Sequence, residues 1–293
     1  MSTANFFKWE TGMRELADGV FAYVQPNGAH GNAGYSNAGL IVGPEHCVVI
    51  DTLGTNSMHE AFIGAIQRVT DKPVGRVLLT HHHVDHILGT HRFRSACVIC
   101  HRACRANIVN GGPDAAARWA AKRPHFAADL RDIPVIVPDL TFEDRVFLHQ
   151  GEREIVCFHP GIAHTDGDAV AWLPAERILF TGDLFFNRVC PAAFAGNMAG
   201  WIAVVRELLK MDVDVIVPGH GPISDKAGLA SMLNYLETID RCSRQGFQAG
   251  ASAEEVARNM DLGDFRHWAD TEERLLEDVR RVYQELVDAL RRT

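Results

Sequence analysis

The sequence predicts an α/β fold built from two similar halves, and three observations support this class. Short β-rich runs alternate with segments of helical apolar spacing, in the order strand, helix, strand, helix, strand. The same texture returns from Ile133 onward, so the second half of the chain repeats the first. From about Ser224 the apolar residues fall on stripes typical of amphipathic helices. We expect one domain over 1–293, with its core at about 19–222.

The N-terminal half begins with strands. Three β-rich runs, GVFAYVQ, AGLIVG and CVVIDT, are separated by turn residues, and a Gly- and Asn-rich loop at 26–37 lies between the first two. The segment SMHEAFIGAIQRVT has helical apolar spacing and stands before Pro73, which favours a helix that ends there. GRVLLT then predicts a strand, ILGTHRF a helix and ACVIC another strand.

The remainder of the chain predicts an insertion, a second set of strands and a helical tail. Residues 102–132 are rich in Ala and Arg and should form a helical insertion, because a structureless loop of this length is uncommon. In the second half, VFLHQGEREIVCFH predicts a hairpin, AVAWL and RILFTG two strands, WIAVVRELLKM a helix and VDVIVPG a strand. Helices at about 224–293 should pack on the core, and a homodimer interface is the alternative use of their apolar stripes.

Composition narrows the classes of function. With 293 residues, of which 47% are apolar and 23% charged, the chain can bury a sizeable core. The net charge of −8 and the lack of a basic tract argue against binding to nucleic acid or to anionic lipid, so a small-molecule substrate is expected. The start of the chain does not have the pattern of a signal peptide, and no apolar run approaches the roughly 18 residues of a membrane span, which favours a cytoplasmic protein.

A dense group of potential metal ligands follows the strand GRVLLT. In extended backbone successive side chains alternate, so His81 and His83 share one face while His82 points away from them. If a helix begins near Asp85, then Asp85 and His86 can project toward the same region. Four donors can therefore converge at a strand-to-helix junction. A solvated histidine-rich loop is the alternative, and further ligands are needed to decide.

Three such residues stand farther along the chain. His164, Asp183 and His220 each follow a predicted strand and are next to a Gly or Thr turn, in the segments GIAHTDG, FTGD and VPGHG. A lone histidine at the end of a strand is more often structural than ligating, but an ordered set of three behind the first group favours metal binding. Imidazole and carboxylate together suit Zn²⁺ and also accommodate Fe and Mn.

These segments resemble the metal-binding motifs of the metallo-β-lactamase superfamily. HHHVDH, GIAHTDG, FTGD and VPGHG occur in the family's order over about residues 19–222, and Asp51 in CVVIDTLG matches the family's aspartate near the site. The resemblance implies a four-layered αβ/βα sandwich with two divalent metal ions at one edge between the sheets. It also implies that His81, His83 and His164 hold one metal, that Asp85, His86 and His220 hold the second, and that Asp183 bridges both.

Two cations that share a carboxylate point to hydrolysis. Such a pair can hold a water molecule and lower its pKa toward neutrality, which provides hydroxide as the nucleophile. We therefore expect cleavage of a carboxylic ester, thioester or lactone, with Asp85 and Asp183 catalytic as well as ligating. True β-lactamases of the family carry Cys or Ser where this chain has Asp183, so the resemblance is to thioesterase-, cyclase- or lactonase-like branches.

Other activities of the superfamily remain alternatives. An iron-dependent persulfide dioxygenase is the main one, although the resemblance implies that such enzymes use only the first of the two sites. A β-lactamase and a phosphodiesterase are less expected, the latter because an RNA substrate requires a basic surface that this acidic chain lacks.

A few further residues are candidates for the surroundings of the metals. Asp51 should orient metal ligands as a hydrogen-bond partner. His30 and Tyr35 in the 26–37 loop, Trp119 in the insertion and Phe186 after FTGD should line the substrate pocket. The alternative is that the aromatic residues belong to the core and that the loop residues are simply solvated.

Overall fold

The strands form two sheets in the computed structural model, which describes residues 8–28 and 30–291. The first sheet contains, in spatial order, β1 (Gly12–Ala17), β2 (Val20–Val24), β3 (Ala38–Val42), β4 (Cys47–Ile50), β5 (Val74–Leu78), β6 (Cys97–His101) and β7 (Leu140–Phe142). The second contains β12 (Val215–Val217), β11 (Ile178–Phe180), β10 (Val170–Leu173), β9 (Arg153–Phe158) and β8 (Arg145–Gln150). Consecutive strands are therefore neighbours throughout both sheets.

Strand direction changes within each sheet, and this change positions the site. β1 to β4 pair antiparallel, whereas β4 to β7 pair parallel. In the second sheet β8 to β11 are antiparallel and β11 pairs parallel with β12. The carboxyl ends of β4 and β5 therefore share one edge, and so do those of β11 and β12.

Helices cover the outer faces of the two sheets. They are α1 (Asn56–Val69), α2 (Val84–Ile87), α3 (Arg102–Gly111), α4 (Ala115–Lys122), α5 (Met198–Leu208), α6 (Lys226–Gln248), α7 (Ala253–Asn259) and α8 (Thr271–Leu290). In α1, Met58, Phe62 and Ile66 recur every four residues and are buried, which fixes the face that packs on the first sheet. α3 and α4 form the predicted insertion, and α6 to α8 form the predicted C-terminal extension.

The core consists of three clusters of buried apolar side chains: one between the two sheets and one on the outer face of each sheet. Because side chains alternate along a strand, Val48 of β4 faces the second sheet whereas Val49 faces the helices of the first half. Both are fully buried, as expected for a strand covered on both faces. Trp201 of α5 and Tyr235 of α6 fill the layer outside the second sheet. The order helix, sheet, sheet, helix confirms the predicted four-layered sandwich.

Some elements differ from the sequence-based prediction. The strand prediction began at Gly19 and missed β1, which pairs with β2 at the edge of the first sheet. The helix predicted after the histidines is a single α turn, α2, followed by a 3-10 segment at Leu88–Phe93. Among the described residues, no helix has the length and hydropathy needed to cross a lipid bilayer.

Candidate metal centre

Two groups of donor side chains meet at the edge between the sheets. In each group the possible ligand atoms lie within 4.8 Å of one another. The first group is His81, His83, His164 and Asp183, and the second is Asp85, His86 and His220. These are the seven residues that the sequence singled out.

Strand ends supply these side chains. The segment after β5 carries His81 and His83, of which His83 has extended backbone, and α2 then begins at Val84, so Asp85 and His86 lie in its first turn. His164 lies in the loop between β9 and β10, Asp183 in the turn after β11, and His220 three residues after the end of β12. Because β11 and β12 are parallel, their two following turns emerge side by side.

In the first group three imidazole nitrogens converge on one point. His83 Nδ1 lies 3.1 Å from His81 Nε2 and 2.9 Å from His164 Nε2. Asp183 Oδ2 is 3.3 Å from the same nitrogen of His164. Three nitrogens and one carboxylate oxygen thus surround a small volume, an arrangement suited to a tetrahedral cation.

Asp183 also reaches the second group through its other oxygen. Oδ1 lies 3.0 Å from His86 Nε2 and 3.5 Å from His220 Nε2, while Asp85 Oδ2 is 3.4 Å from the latter nitrogen. Gly219 permits this position, because a Cβ there would lie 2.0 Å from Asp183 Oδ1. One carboxylate is therefore shared between the two groups.

The protonation states fit metal ligands. Burial lowers the pKa of His81 and His83 well below the usual 6.5 and that of His164 to about 4, so these imidazoles are neutral with a free lone pair. Burial alone would raise the pKa of Asp183, but the neighbouring His220 and His86 hold it well below 3.8. Neutral imidazoles and ionised carboxylates are the forms that bind divalent cations.

In the second group, neighbouring carboxylates shift the pKa of the imidazoles in the opposite direction. Burial disfavours the charged forms of His86 and His220, but Asp183 together with Asp51 beside His86 and Asp85 beside His220 outweighs it and raises the pKa of both. In addition, His86 Nε2 and Asp183 Oδ1 are buried without a hydrogen-bond partner. A cation that binds here would satisfy both atoms, so the residues fit two metal ions.

Hydrogen bonds fix the orientation of the ligands. Asp51 accepts from His86 Nδ1 at 2.8 Å and from the backbone N–H of Thr80 at 2.8 Å. It also accepts from the Thr80 hydroxyl, which lies 3.1 Å from His81 Nδ1. Asn32 Oδ1 lies 2.7 Å from His220 Nδ1. In His81, His86 and His220 the outer nitrogen is thus engaged, and the inner one is left to face the centre.

Comparison with known proteins assigns the family. A sequence model of the metallo-beta-lactamase superfamily matches residues 31–220, which include all seven donors. The chain belongs to the metallo-beta-lactamase superfamily. Members of this superfamily are hydrolases that use divalent metal ions, and the donors described above are this member's candidate metal ligands.

The relatives of this superfamily member are named as different kinds of enzyme. A metallo-beta-lactamase type 2 from Bacillus sp. (strain 170) is 26% identical over 240 residues, which are 78% of this chain and 85% of the relative. A hydroxyacylglutathione hydrolase from Rhodospirillum rubrum is 26% identical over 171 residues, covering 58% of this chain and 55% of that enzyme. The structure of a stereoselective inverting sec-alkylsulfatase from Pseudomonas sp. matches 94% of this chain with a TM-score of 0.72 at 16% identity. This chain spans 50% of the sulfatase's length, and the likeness concerns the fold.

A cavity lies beside the donor groups of this superfamily member. It measures about 650 Å³ and reaches Asp85, Asp183 and His220 at its base. Trp119 and Phe186, both proposed from the sequence as pocket residues, line it. The Phe186 ring also stacks on the His220 ring, with the centroids 5.0 Å apart and the planes 1° from parallel.

The other proposed pocket residues lie elsewhere. The His30 ring is exposed and contacts the His125 ring, and the Tyr35 ring packs against Phe126. Neither lines the cavity, because the 26–37 loop directs Asn32 toward the metal ligands instead. His82 belongs to neither donor group but does line the cavity.

Sequence reasoning missed several residues around the centre. Asn32 lies in the 26–37 loop, and an asparagine next to a glycine is equally typical of a solvated turn. Arg118 and Lys122 line the cavity at helical spacing on α4, a pattern that the sequence does contain. Asp270 and Arg274 approach the centre from the C-terminal extension, and nothing near them in the sequence marks this role.

Proposed function

We propose that the protein is a binuclear hydrolase, with Zn²⁺ in both sites, that cleaves a carboxylic ester, thioester or lactone. The observation that carries the proposal is the shared Asp183 carboxylate, whose two oxygens face imidazoles of both donor groups at 3.0 and 3.3 Å. A carboxylate in this position holds two cations close enough to act on one bond. The six other donors complete two separate ligand sets around it.

Side chains of the protein itself would orient the attacking water and the metal ligands. When bound, the two cations supply Lewis acidity for the carbonyl oxygen and the leaving group, and they acidify the attacking water. Asp85 lies at the base of the cavity and its side chain is 14% exposed. Its ionised carboxylate can therefore accept a hydrogen bond from that water and orient it toward the substrate. Asp51 and Asn32 keep His86 and His220 in fixed orientations.

The cavity favours an acyl substrate that also carries negative charge. Trp119, Phe186 and Phe194 provide apolar surface for an acyl group. Arg118 and Lys122 add positive charge on the wall formed by α4. These two cations would attract an anionic group distant from the scissile bond, whereas Glu273 and Glu277 of α8 add negative charge elsewhere on the lining.

Relatives and the residue at position 183 support the same bond type. Asp183 stands where the resemblance places Cys or Ser in true β-lactamases, which favours acyl transfer to water from esters and thioesters. The hydroxyacylglutathione hydrolase is named for an acylglutathione, which is a thioester. The metallo-beta-lactamase type 2 relative makes β-lactam hydrolysis the second candidate, and it enters the test below.

Metal analysis combined with a substrate panel tests the proposal. We expect two zinc ions per chain and turnover of aryl esters, acyl thioesters or lactones that exceeds turnover of β-lactams. Less than one metal per chain together with no hydrolysis of any panel member would refute it. A single tightly bound iron with oxygen consumption on glutathione persulfide would establish the dioxygenase instead.

A further inference from the structure

We propose, building on the binuclear site proposed above, that α8 positions His220 and thereby sets the affinity of the second metal site. Two routes lead from this helix to the His220 imidazole, one through Asn32 and one through Phe186. His220 is the last residue of the segment that matches the superfamily, and α8 lies wholly beyond it. The C-terminal extension would thus complete the metal centre of this protein.

The first route is a pair of hydrogen bonds. Asp270, which precedes α8, accepts from the backbone N–H of Asn32 at 2.9 Å through Oδ1 and at 3.2 Å through Oδ2. The Asp270 side chain is 2% exposed, so water does not compete effectively for these bonds. The Asn32 side-chain oxygen then lies 2.7 Å from His220 Nδ1. The carboxylate therefore holds the backbone of the residue whose side chain contacts the ligand.

The amide of Asn32 has a defined orientation in this route. Its nitrogen donates to Asn27 Oδ1 at 3.0 Å, which turns its oxygen toward His220. That oxygen can only accept, so His220 Nδ1 carries the hydrogen and Nε2 presents its lone pair. Nε2 is the atom that faces Asp85 and Asp183, at 3.4 and 3.5 Å. The bond from Asn32 thus selects the tautomer that binds metal.

Gly31 makes the close approach of Asp270 feasible. Its φ is +93°, a conformation that residues with a side chain rarely adopt. A Cβ at this position would lie 2.0 Å from Asp270 Oδ1. The glycine thus leaves room for the carboxylate beside the backbone of Asn32.

The second route passes through aromatic contacts. Arg274 on the first turn of α8 pairs with Asp270 at 3.2 Å and donates to the Cys190 carbonyl at 2.6 Å. Its guanidinium lies 5.6 Å from the centroid of the Phe186 ring, and Phe186 in turn stacks on His220. The His220 imidazole is therefore held by the Phe186 ring on its face and by Asn32 at Nδ1.

The other histidine of the second group, His86, is supported from within the superfamily segment. His86 Nδ1 donates directly to Asp51, which follows β4. His220 has an amide in the corresponding place, and the carboxylate stands one residue farther away, on the extension. Loss of the Asp270 contact should therefore weaken the second site and leave the first site intact.

Metal titration of purified metal-free protein tests this role. Wild-type protein and the variants Asn32→Ala and Asp270→Asn are titrated with Zn²⁺ in a calorimeter, and the two binding constants are separated. Each variant should lose about 10- to 100-fold in affinity at one site, with the other site unchanged. Thermal unfolding of the metal-free variants verifies that they are folded.

Two further variants separate positioning from general loosening of the helix. Asp278→Asn alters a buried carboxyl about two turns along α8 that contacts Tyr235, Ala193 and the Cys190 thiol and no metal-binding group, so both sites should keep wild-type affinity. Asn32→Asp retains an oxygen acceptor for His220 and should restore tight binding where Asn32→Ala loses it. If Asp270→Asn does not fold, Gly31→Ala tests the same contact and should lower the affinity of the same site, because the added Cβ would lie 2.0 Å from Asp270 Oδ1.

Three outcomes would overturn the inference. They are wild-type affinity at both sites in Asn32→Ala and Asp270→Asn, equal weakening of both sites, or the same loss in Asp278→Asn. Failure of the wild-type protein to bind two metals would instead refute the proposed binuclear function, so the two failures are distinguishable.

Discussion

At the scale of single residues, Asp183 has the widest reach in the centre, because it contacts imidazoles of both donor groups. Asp183→Ala should remove a ligand from both sites and leave the two cations, when bound, without a shared counter-charge. We expect at most one metal per chain by elemental analysis. Hydrolysis of an aryl ester should fall at least about a hundredfold, the scale on which single electrostatic groups of active sites act.

His82 is the matched control for Asp183. It lies between the donors His81 and His83, but it belongs to neither donor group. His82→Ala should keep near-normal metal content, although its place in the cavity wall allows a change in KM. Equal metal loss in the two variants would contradict the assignment of ligands.

Buried carboxyls that should make stability depend on pH near neutrality include Asp168, whose pKa burial raises to about 8, and Asp278. Burial raises the pKa of Asp278 to about 7, against the lowering effects of the Tyr235 hydroxyl, the Ala193 N–H, Arg274 and the Cys190 thiol. Since the folded pKa lies above the ordinary 3.8, the folded state holds the proton more tightly than the unfolded state. The resulting stabilisation is complete below about 3.8 and is lost as the pH rises through about 7.

Thermal unfolding of Asp278→Asn measures this contribution. Between about pH 5 and about pH 8 the wild-type Tm should fall more than the Tm of the variant, because the amide has no proton to lose. The difference between the two curves isolates Asp278 from other titrating groups. Parallel curves would show that the Asp278 carboxyl has an ordinary pKa.

At the scale of elements, α4 is the part of the insertion that shapes the cavity. Arg118, Trp119 and Lys122 are spaced so that they share one face of the helix, and all three line the cavity. Lys122→Glu should raise KM for a carboxylate-bearing aryl ester by about tenfold, which corresponds to about 1.4 kcal/mol of binding free energy. KM for a neutral ester should stay nearly unchanged. Steady-state kinetics on the two esters at low ionic strength measure the difference.

A second charge inversion shows whether location matters in this experiment. Lys210 is an exposed lysine next to Glu207 beyond α5 and does not line the cavity. Lys210→Glu makes the same change in net charge and should leave both KM values as they are. The same rise in KM in both variants would point to long-range charge rather than to contact with the substrate.

The sequence predicts those features of the fold and of the site that depend on neighbouring residues. The alternation from His81 to His83 and the start of α2 at Val84 are local, so their pattern stands in the sequence itself. β1 escaped prediction because GMRELA forms an edge strand without a regular apolar alternation. Asp270 and Asn32 are 238 residues apart, and only the packing of the extension brings them together. Contacts of that kind have no signature in a single sequence.

At the scale of the whole molecule, the donor groups lie on the seam between the two halves. His81, His83, Asp85 and His86 come from the first half, whereas His164, Asp183 and His220 come from the second. Elsewhere the seam is joined by contacts such as the Asn37 amide, which donates to the carbonyls of Pro218 and Gly221. Metals held in both groups would therefore join the halves as well as act on the substrate.

Removal of metal should for this reason destabilise the entire fold. A ligand present at about 100 times its Kd stabilises the folded state by about 2.7 kcal/mol, so treatment with a chelator should lower the Tm by roughly 5–10 °C. Differential scanning calorimetry with and without chelator measures the change. In Asp183→Ala the chelator should have little further effect, because the shared ligand is already gone, and a shift as large as that of the wild type would show that the stabilising metal binds outside this centre.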